Sequence, residues 1–301
     1  MRRSFAIAVA ACVLSSVVLA GRGLSGGTSG DLAEHISTYT WRLHDGWFGG
    51  FSGIELSEDG RQMVAISDRG MFVTGTLQRE KGAVSDVENV EAFRVLDTKG
   101  TFPKKTGMRD SEGLVLQKNG KLVVSFEGNH RLNRFAQPGA KAQGMAWRKE
   151  FNKMKLNGGF EALAIDNAGK IFAVPEQPVG DDSVAQVFML KKGQWEKAFT
   201  LPRAKQFQPV GADFGPDGRL YLLERGFNGL GFRVRVRSFS VAKTGASDEK
   251  LLLRKGIGIH DNLEGLAVWR DESERVRLTM ISDDNFRLIQ RTEIVEYVIP
   301  Q

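Results

Sequence analysis

Residues 111–128, SEGLVLQKNGKLVVSFEG, set two short apolar runs on either side of an Asn-Gly pair. Runs of this length bounded by turn residues predict strands joined in a hairpin, not a helix. The same form recurs in FSGIELSEDGRQMVAISDRG (51–70), GFEALAIDNAGKIFAVPEQ (159–177) and VGADFGPDGRLYLLERG (210–226). With a longer loop it recurs in LEGLAVWRDESERVRLTMISDDN (263–285). The units start at Ser52, Glu112, Glu161, Gly211 and Glu264, at spacings of 49–60 residues. The second unit predicts four strands, at 113–117, 121–126, 131–136 and about 145–151, and no unit carries a convincing amphipathic helix. Four strands repeated at this period predict an all-β fold, a β-propeller. Only three strands follow Glu264, at 265–269, 276–282 and 293–299; STYTWRLHD (37–45) is expected to supply the fourth and close the ring. That arrangement has five four-stranded blades, or six if the long first unit conceals another.

The first twenty residues break this pattern. Arg2 and Arg3 precede the apolar run AIAVAACVLSSVVLA, and Val18-Leu19-Ala20 suits cleavage before Gly21. The expectation is a signal peptide at 1–20, exported by a Sec or Tat route, and a periplasmic or secreted chain. The run is short for a membrane span, so no stable membrane anchor is expected after cleavage. A flexible leader is expected at 21–36 and a single domain at 37–301.

Composition narrows the chemistry. Hydrophobic residues make up 41% and charged residues 26%, as in a globular chain, and 35 glycines suit a turn-rich fold. The single cysteine, Cys12, lies in the expected signal, which excludes disulfides, thiolate nucleophiles and cysteine metal sites from the mature chain. Loss of Arg2 and Arg3 leaves a net charge of +4, too mild to imply a nucleic-acid partner. The strand FRVRVRSF (232–239) alternates Arg233, Arg235 and Arg237 with apolar residues and reads as the solvated face of an outer strand. Walker, dinucleotide and HExxH motifs and zinc spacings are all absent. GLSGG (23–27) matches G-x-S-x-G but lacks the strand and helix that a nucleophile elbow needs.

The acids are what stand out. A two-residue turn at Asn119-Gly120 would place Glu112 opposite Glu127, and like charges there destabilise a sheet. The same arithmetic places Glu161 opposite Glu176 and Gly211 opposite Glu224. In a propeller the first strand lines the axis, so Asp68, Glu112, Glu127, Glu161, Glu176, Glu224, Glu264 and Asp283 are expected around one channel mouth. Their repulsion calls for an oxygen-ligated cation such as Ca²⁺, for arginines, or for raised pKa values. Arg69, Arg109, Arg131 and Arg225 stand close by in sequence. Among the histidines, His130 in EGNHR and His260 in HDNLEG are candidates for a general base or a phosphate donor.

FSGIEL, VAISDRG, SEGLVL, NGKLVVSFEGNHR, LEGLAV and ISDDNF together resemble the phytase-like family, secreted bacterial β-propeller proteins described as having esterase-like activity. The resemblance spans about residues 37–299 and implies a propeller, an extracytoplasmic location and ester or phosphoester hydrolysis. The chain lacks the R-H-G motif of histidine acid phosphatases. One expectation is therefore a hydrolase of a small anionic ester or phosphoester, dependent on Ca²⁺ and acting as a monomer. In it Glu127 or His130 is the base, and Arg69, Arg131 or Arg225 positions the anion. The alternative is a binding or scaffold propeller whose acids hold a structural cation or pair with arginine. A lactonase-like or sugar-acting propeller is a third, in which the arginines would have no anion to bind.

Overall fold

The computed structural model describes residues 30–155 and 158–301; the expected signal peptide, the GLSGG run and most of the expected leader lie outside these. The first element is strand β1 (Glu34–Trp41). Four blades follow in chain order. Blade 1 holds β2 (Phe51–Leu56), β3 (Gln62–Ser67), β4 (Met71–Glu80) and β5 (Ala83–Arg94), and blade 2 holds β6 (Ser111–Leu116), β7 (Leu122–Phe126), β8 (Arg131–Phe135) and β9 (Gln143–Gly144). Blade 3 holds β10 (Phe160–Ile165), β11 (Ile171–Pro175), β12 (Val184–Lys191) and β13 (Gln194–Pro202). Blade 4 holds β14 (Gln208–Phe214), β15 (Leu220–Phe227), β16 (Phe232–Ala242) and β17 (Gly245–Lys255). Blade 5 holds β18 (Asn262–Arg270), β19 (Val276–Asp283) and β20 (Thr292–Ile299), with β1 as its outermost strand. The protein is a five-bladed propeller closed by its N-terminal strand, and β1 runs antiparallel to β20 from Trp41↔Thr292 to Glu34↔Val298.

Two strand expectations need correction. The fourth strand of blade 2 is only Gln143–Gly144, and residues 149–153 form a 3-10 turn instead of a strand. Phe151 explains the difference: it is fully buried among Phe160, Phe188 and Trp195, so the segment folds inward to fill the gap between blades. The closing strand starts at Glu34, earlier than expected.

The described residues share no single core. The apolar side chains form five clusters, each between two neighbouring blades. Ile66, Phe72, Leu122 and Phe135 fill one such seam, and Tyr221, Val236, Leu278 and Tyr297 another. Inner strands approach so closely that residues just past their mouth-side ends are small: Gly53, Gly113, Ala162, Gly211 and Gly265. A Cβ on Gly113 would lie 2.6 Å from the Glu161 carbonyl oxygen, and one on Gly211 2.5 Å from that of Glu264. The axial cavity between them is about 10 Å³, no more than one water needs. The axis is therefore a plug that separates two mouths.

Two departures from an ideal hairpin set the register. The turn in blade 2 is a three-residue loop: the Gly120 amide donates to the Gln117 carbonyl and the Gln117 amide to that of Lys121. Gly120 takes φ +78°, which suits a type I turn followed by a left-handed glycine. Pairing near the turn is thus Leu116↔Leu122, one residue off the two-residue expectation. Each inner strand then breaks register again near the mouth, between Phe51 and Gly53, Ser111 and Leu114, Phe160 and Ala162, Pro209 and Gly211, and Leu263 and Gly265. These are β-bulges, which re-aim a side chain at the cost of one ladder position.

Candidate active site at the acid mouth

The five bulges carry Ser52, Glu112, Glu161, Val210 and Glu264 at equivalent places in the blades. A second ring comes from the ends of the second strands. Asp68 pairs through its amide with Gly50, Glu127 with Asp110 and Glu176 with Gly159; Arg225 lies opposite Gln208 and Asp283 opposite Asn262. Glu112 and Glu127 are therefore not directly opposed; the residue across from Glu127 is Asp110. The bulge nonetheless turns Glu112 towards them, and carboxylate oxygens of Asp110, Glu112 and Glu127 come within 4.8 Å of one another.

Glu224 does not belong to the mouth. One residue of register turns it into blade 4, where it is 1% exposed and accepts hydrogen bonds from Arg235 (2.7 and 2.9 Å) and Arg237 (2.7 and 2.8 Å). Arg237 is 3% exposed, so these arginines are internal counter-ions and not a solvated face. Arg225 takes the place Glu224 was expected to hold. Its guanidinium contacts the Glu264 carboxylate, donates to Asn262 Oδ1 (3.0 Å) and reaches Glu176 Oε1 (3.4 Å). Burial opposes its charge, but Glu264, Glu161 and Glu176 more than offset this and raise its pKa.

The other mouth acids are less well answered. Burial, then Glu161, pushes Glu112 well above the usual carboxylate range; burial, then Glu176, does the same to Glu161. Burial also raises Glu176 and Glu264 despite the nearby Arg225. Asp68 is pushed up to about 7 by burial and Asp283, Asp283 to about 7 by burial and Glu264, and Asp110 to about 6 by burial and Glu127. Asp68 Oδ1 is buried with no hydrogen-bond partner among the described residues. Gly50, at φ +64°, admits it: a Cβ there would lie 2.3 Å from Asp68 Oδ1. Glu127 is held differently, with Oε1 accepting the Gly158 and Gly159 amides (2.5 and 3.1 Å).

The remaining candidates separate clearly. His130 Nε2 lies 2.8 Å from the Lys155 carbonyl oxygen, which can only accept, so Nε2 carries a proton. Nδ1 is buried, unpartnered among the described residues, and packed against Gly159 beside the Glu127 carboxylate. His260 is a core histidine: 7% exposed, 2.6 Å from the Tyr297 hydroxyl, and pulled down to about 4 by burial, then His35 and Lys255. Arg131 stacks 3.9 Å over Phe126 and donates to backbone carbonyls, and burial pulls it down to about 10. Arg69 lies 3.0 Å over Phe286. Neither has a carboxylate partner among the described residues.

The three converging carboxylates suit a hard cation. Ca²⁺–oxygen distances of about 2.4 Å allow ligands on opposite sides of the ion to stand about 4.8 Å apart. The buried orphan oxygen of Asp68 is a further unsatisfied acceptor at the same mouth. Asp110 could have been found from the sequence, two residues before Glu112 in RDSEG, had the bulge been foreseen.

The phytase-like family, described as having the esterase-like activity of phytase, matches residues 46–286. The chain belongs to that family. No curated protein matches it significantly. Among solved structures it is similar to the catalytic domain of a GH62 α-L-arabinofuranosidase from Coprinopsis cinerea (TM-score 0.52, 10% identity, 88% of this chain and 96% of that one). It is also similar to a glucose dehydrogenase (TM-score 0.50, 10% identity, 88% and 100%) and to the PQQ-bound aldose sugar dehydrogenase of Streptomyces coelicolor (TM-score 0.47, 12% identity, 87% and 98%). The first two likenesses speak for the fold alone. Among the described residues no helix is long and apolar enough to cross a membrane.

Proposed function

We propose that this phytase-like propeller hydrolyses small anionic esters or phosphoesters at the acid mouth, with a Ca²⁺ ion held by Asp110, Glu112 and Glu127. The observation that carries the reading is the convergence of those three carboxylates within 4.8 Å beside buried acids of raised pKa. A bound Ca²⁺ would polarise the substrate oxygen and make a bound water more acidic. His130 Nδ1 accepts the water proton, its ring oriented by the Lys155 carbonyl. Glu161, protonated because of its burial, supplies a proton to the leaving oxygen. Arg69 and Arg131 receive the anionic group, since neither is engaged by a carboxylate among the described residues. Arg225 holds the ring together by answering Glu264 and Glu176, and so positions rather than binds substrate. Asp68, Glu176, Glu264 and Asp283 set the field of the mouth. The proposal includes export to the periplasm or exterior, which rests on the apolar run behind Arg2 and Arg3, and a chain that acts as a monomer.

The test is hydrolysis of chromogenic carboxylic and phosphate esters by the purified chain, with Ca²⁺ and with EDTA. Turnover that EDTA abolishes and Ca²⁺ restores is the expected result. A second reading is favoured by Arg225, which already neutralises part of the ring as a structural device would. Stoichiometric metal and a melt sensitive to EDTA, with no turnover across an ester panel, would select that binding propeller instead.

A further inference from the structure

The acid mouth has a rim unlike the rest of the surface. Among the described residues, eight large hydrophobic side chains are exposed, and six of them stand at a strand end and on three loops at this end of blades 4 and 5. The end of β15 and the loop after it carry Phe227 and Leu230 (60% and 88% exposed), the linker from β17 to β18 carries Ile257 and Ile259 (43% and 52%), and the loop from β19 to β20 carries Leu288 and Ile289 (106% and 89%). The loops touch. A Cβ on Gly231 would lie 2.5 Å from Ile257 Cγ2, and Asp261 accepts from Gln290 Nε2 (3.1 Å) and the Arg291 amide (2.8 Å).

This exposure is built in and not left over from loose chain. Asn285 and Phe286 take φ +47° and +51°, a conformation that favours glycine and is strained for phenylalanine. The strain is held by the Asp284 carboxylate, which accepts the Phe286 amide (3.0 Å), and by the Arg287→Asp284 and Gln290→Arg287 turn bonds (2.8 and 3.0 Å). Phe286 itself is covered by Arg69, so the loop spends its one inward aromatic on the mouth and points Leu288 and Ile289 outward. Soluble proteins rarely leave contiguous apolar rims of this kind without a partner.

The charge around the rim says which partner. Lys104, Lys105, Lys155 and Arg287 are exposed on loops facing the same way, while Lys205 and Arg291 there are paired with Asp182 and Glu293. Aliphatic tips flanked by cations suit a surface that is anionic on top and apolar beneath. We infer that the crest of Leu230, Ile257, Ile259, Leu288 and Ile289 docks the acid mouth onto an anionic phospholipid surface, the aliphatic tips entering the acyl boundary and the basic rim meeting the headgroups. The inference does not rest on the hydrolase reading, because docking needs no turnover.

The test is sedimentation of the full mature chain with phosphatidylcholine vesicles and with mixed phosphatidylcholine–phosphatidylglycerol vesicles. Binding is expected only to the mixed vesicles and falls as salt rises. Leu230→Ser, and Leu288→Ser with Ile289→Ser, each lower the partition coefficient at least tenfold, whereas Leu251→Ser, an exposed leucine on the outer strand β17, leaves it unchanged. Leu288→Trp gives a blue-shifted emission on adding mixed vesicles. No binding to mixed vesicles, an equal loss from Leu251→Ser, or an unshifted Leu288→Trp emission overturns the inference. So does a dimer in solution that the crest substitutions dissociate while vesicle binding is absent, since the occupant would then be a second copy. Loss of ester turnover in soluble substrate by contrast bears only on the proposed function.

Discussion

The two mouths of the propeller are made from opposite ends of the same five inner strands, yet they treat buried carboxyls differently. At the acid mouth Glu112, Glu161 and Glu264 stand on bulges, off the ladder, and converge with a second ring of acids and one arginine. Three residues further along each strand, at regular ladder positions, the far mouth holds Glu55 and Asp213, where the other blades have Val115, Ala164 and Ala267. Asp213 Oδ2 accepts the Val268 amide of the next blade (2.7 Å), while Glu55 Oε1 is buried without a partner among the described residues. Burial pushes Asp213 up to about 7 and, with Asp213 beside it, Glu55 well above its ordinary range. These two line a basin of about 530 Å³. A bulge gathers charges into a group that a cation or arginine can answer together; a ladder position leaves each charge to its own neighbour. The fold itself does not demand acids at the far mouth, since three blades do without them.

That contrast can be broken most sharply at Arg225. Arg225→Gln leaves Glu264 and Glu176 without their counter-ion, and a loss of about 3–5 kcal/mol is expected in urea unfolding. A change under 1 kcal/mol would mean that the mouth acids are neutral without it.

The pH dependence separates the mouths. Asp68, Asp213 and Asp283 all bind a proton more tightly folded than unfolded, so their stability contribution is present below pH 4 and is lost as pH rises to about 7. Without added metal the protein should melt higher at pH 5 than at pH 7.5. Asp213→Asn should flatten part of that slope, by about 2–3 kcal/mol between pH 5 and 7.5 at roughly 1.4 kcal/mol per pKa unit. Ca²⁺ should flatten the acid-mouth part and leave the Asp213 part intact. An identical slope in Asp213→Asn would remove the far mouth from the comparison.

Glu112→Gln combined with Glu127→Gln should cost about 100-fold in ester turnover, near 2.7 kcal/mol, and abolish the Ca²⁺-induced rise in Tm. Glu55→Gln should do neither. Smallest is Gly113→Ala, which forces a Cβ to within 2.6 Å of the Glu161 carbonyl; about 1–3 kcal/mol of destabilisation is expected from overpacking, read by thermal melting.

Much of the architecture was legible in the residues. The alternating runs, their Asn-Gly and Asp-Gly turns and the spacing of the units pointed to five blades and to closure by the N-terminal strand, and β1 pairs with β20 as that pattern requires. That most of the acids, though not Glu224, lie at one mouth was legible too, because hairpin geometry brings the start of one strand beside the end of the next. Which acids meet was not. A three-residue turn moved the register by one and the bulge moved it again, so Glu127 faces Asp110, and Glu224 turns inward to Arg235 and Arg237 while Arg225 enters the ring.

The residues by themselves determined the blades, because each strand and turn is decided by contacts a few positions away. The tertiary structure alone decided the chemistry of the mouths. A bulge forms where an inner strand must pass within van der Waals distance of the next blade, as Gly113 does at Glu161 and Gly211 at Glu264. That closeness exists only once the ring is complete, and a one-residue shift then sends a side chain to the opposite face of its strand.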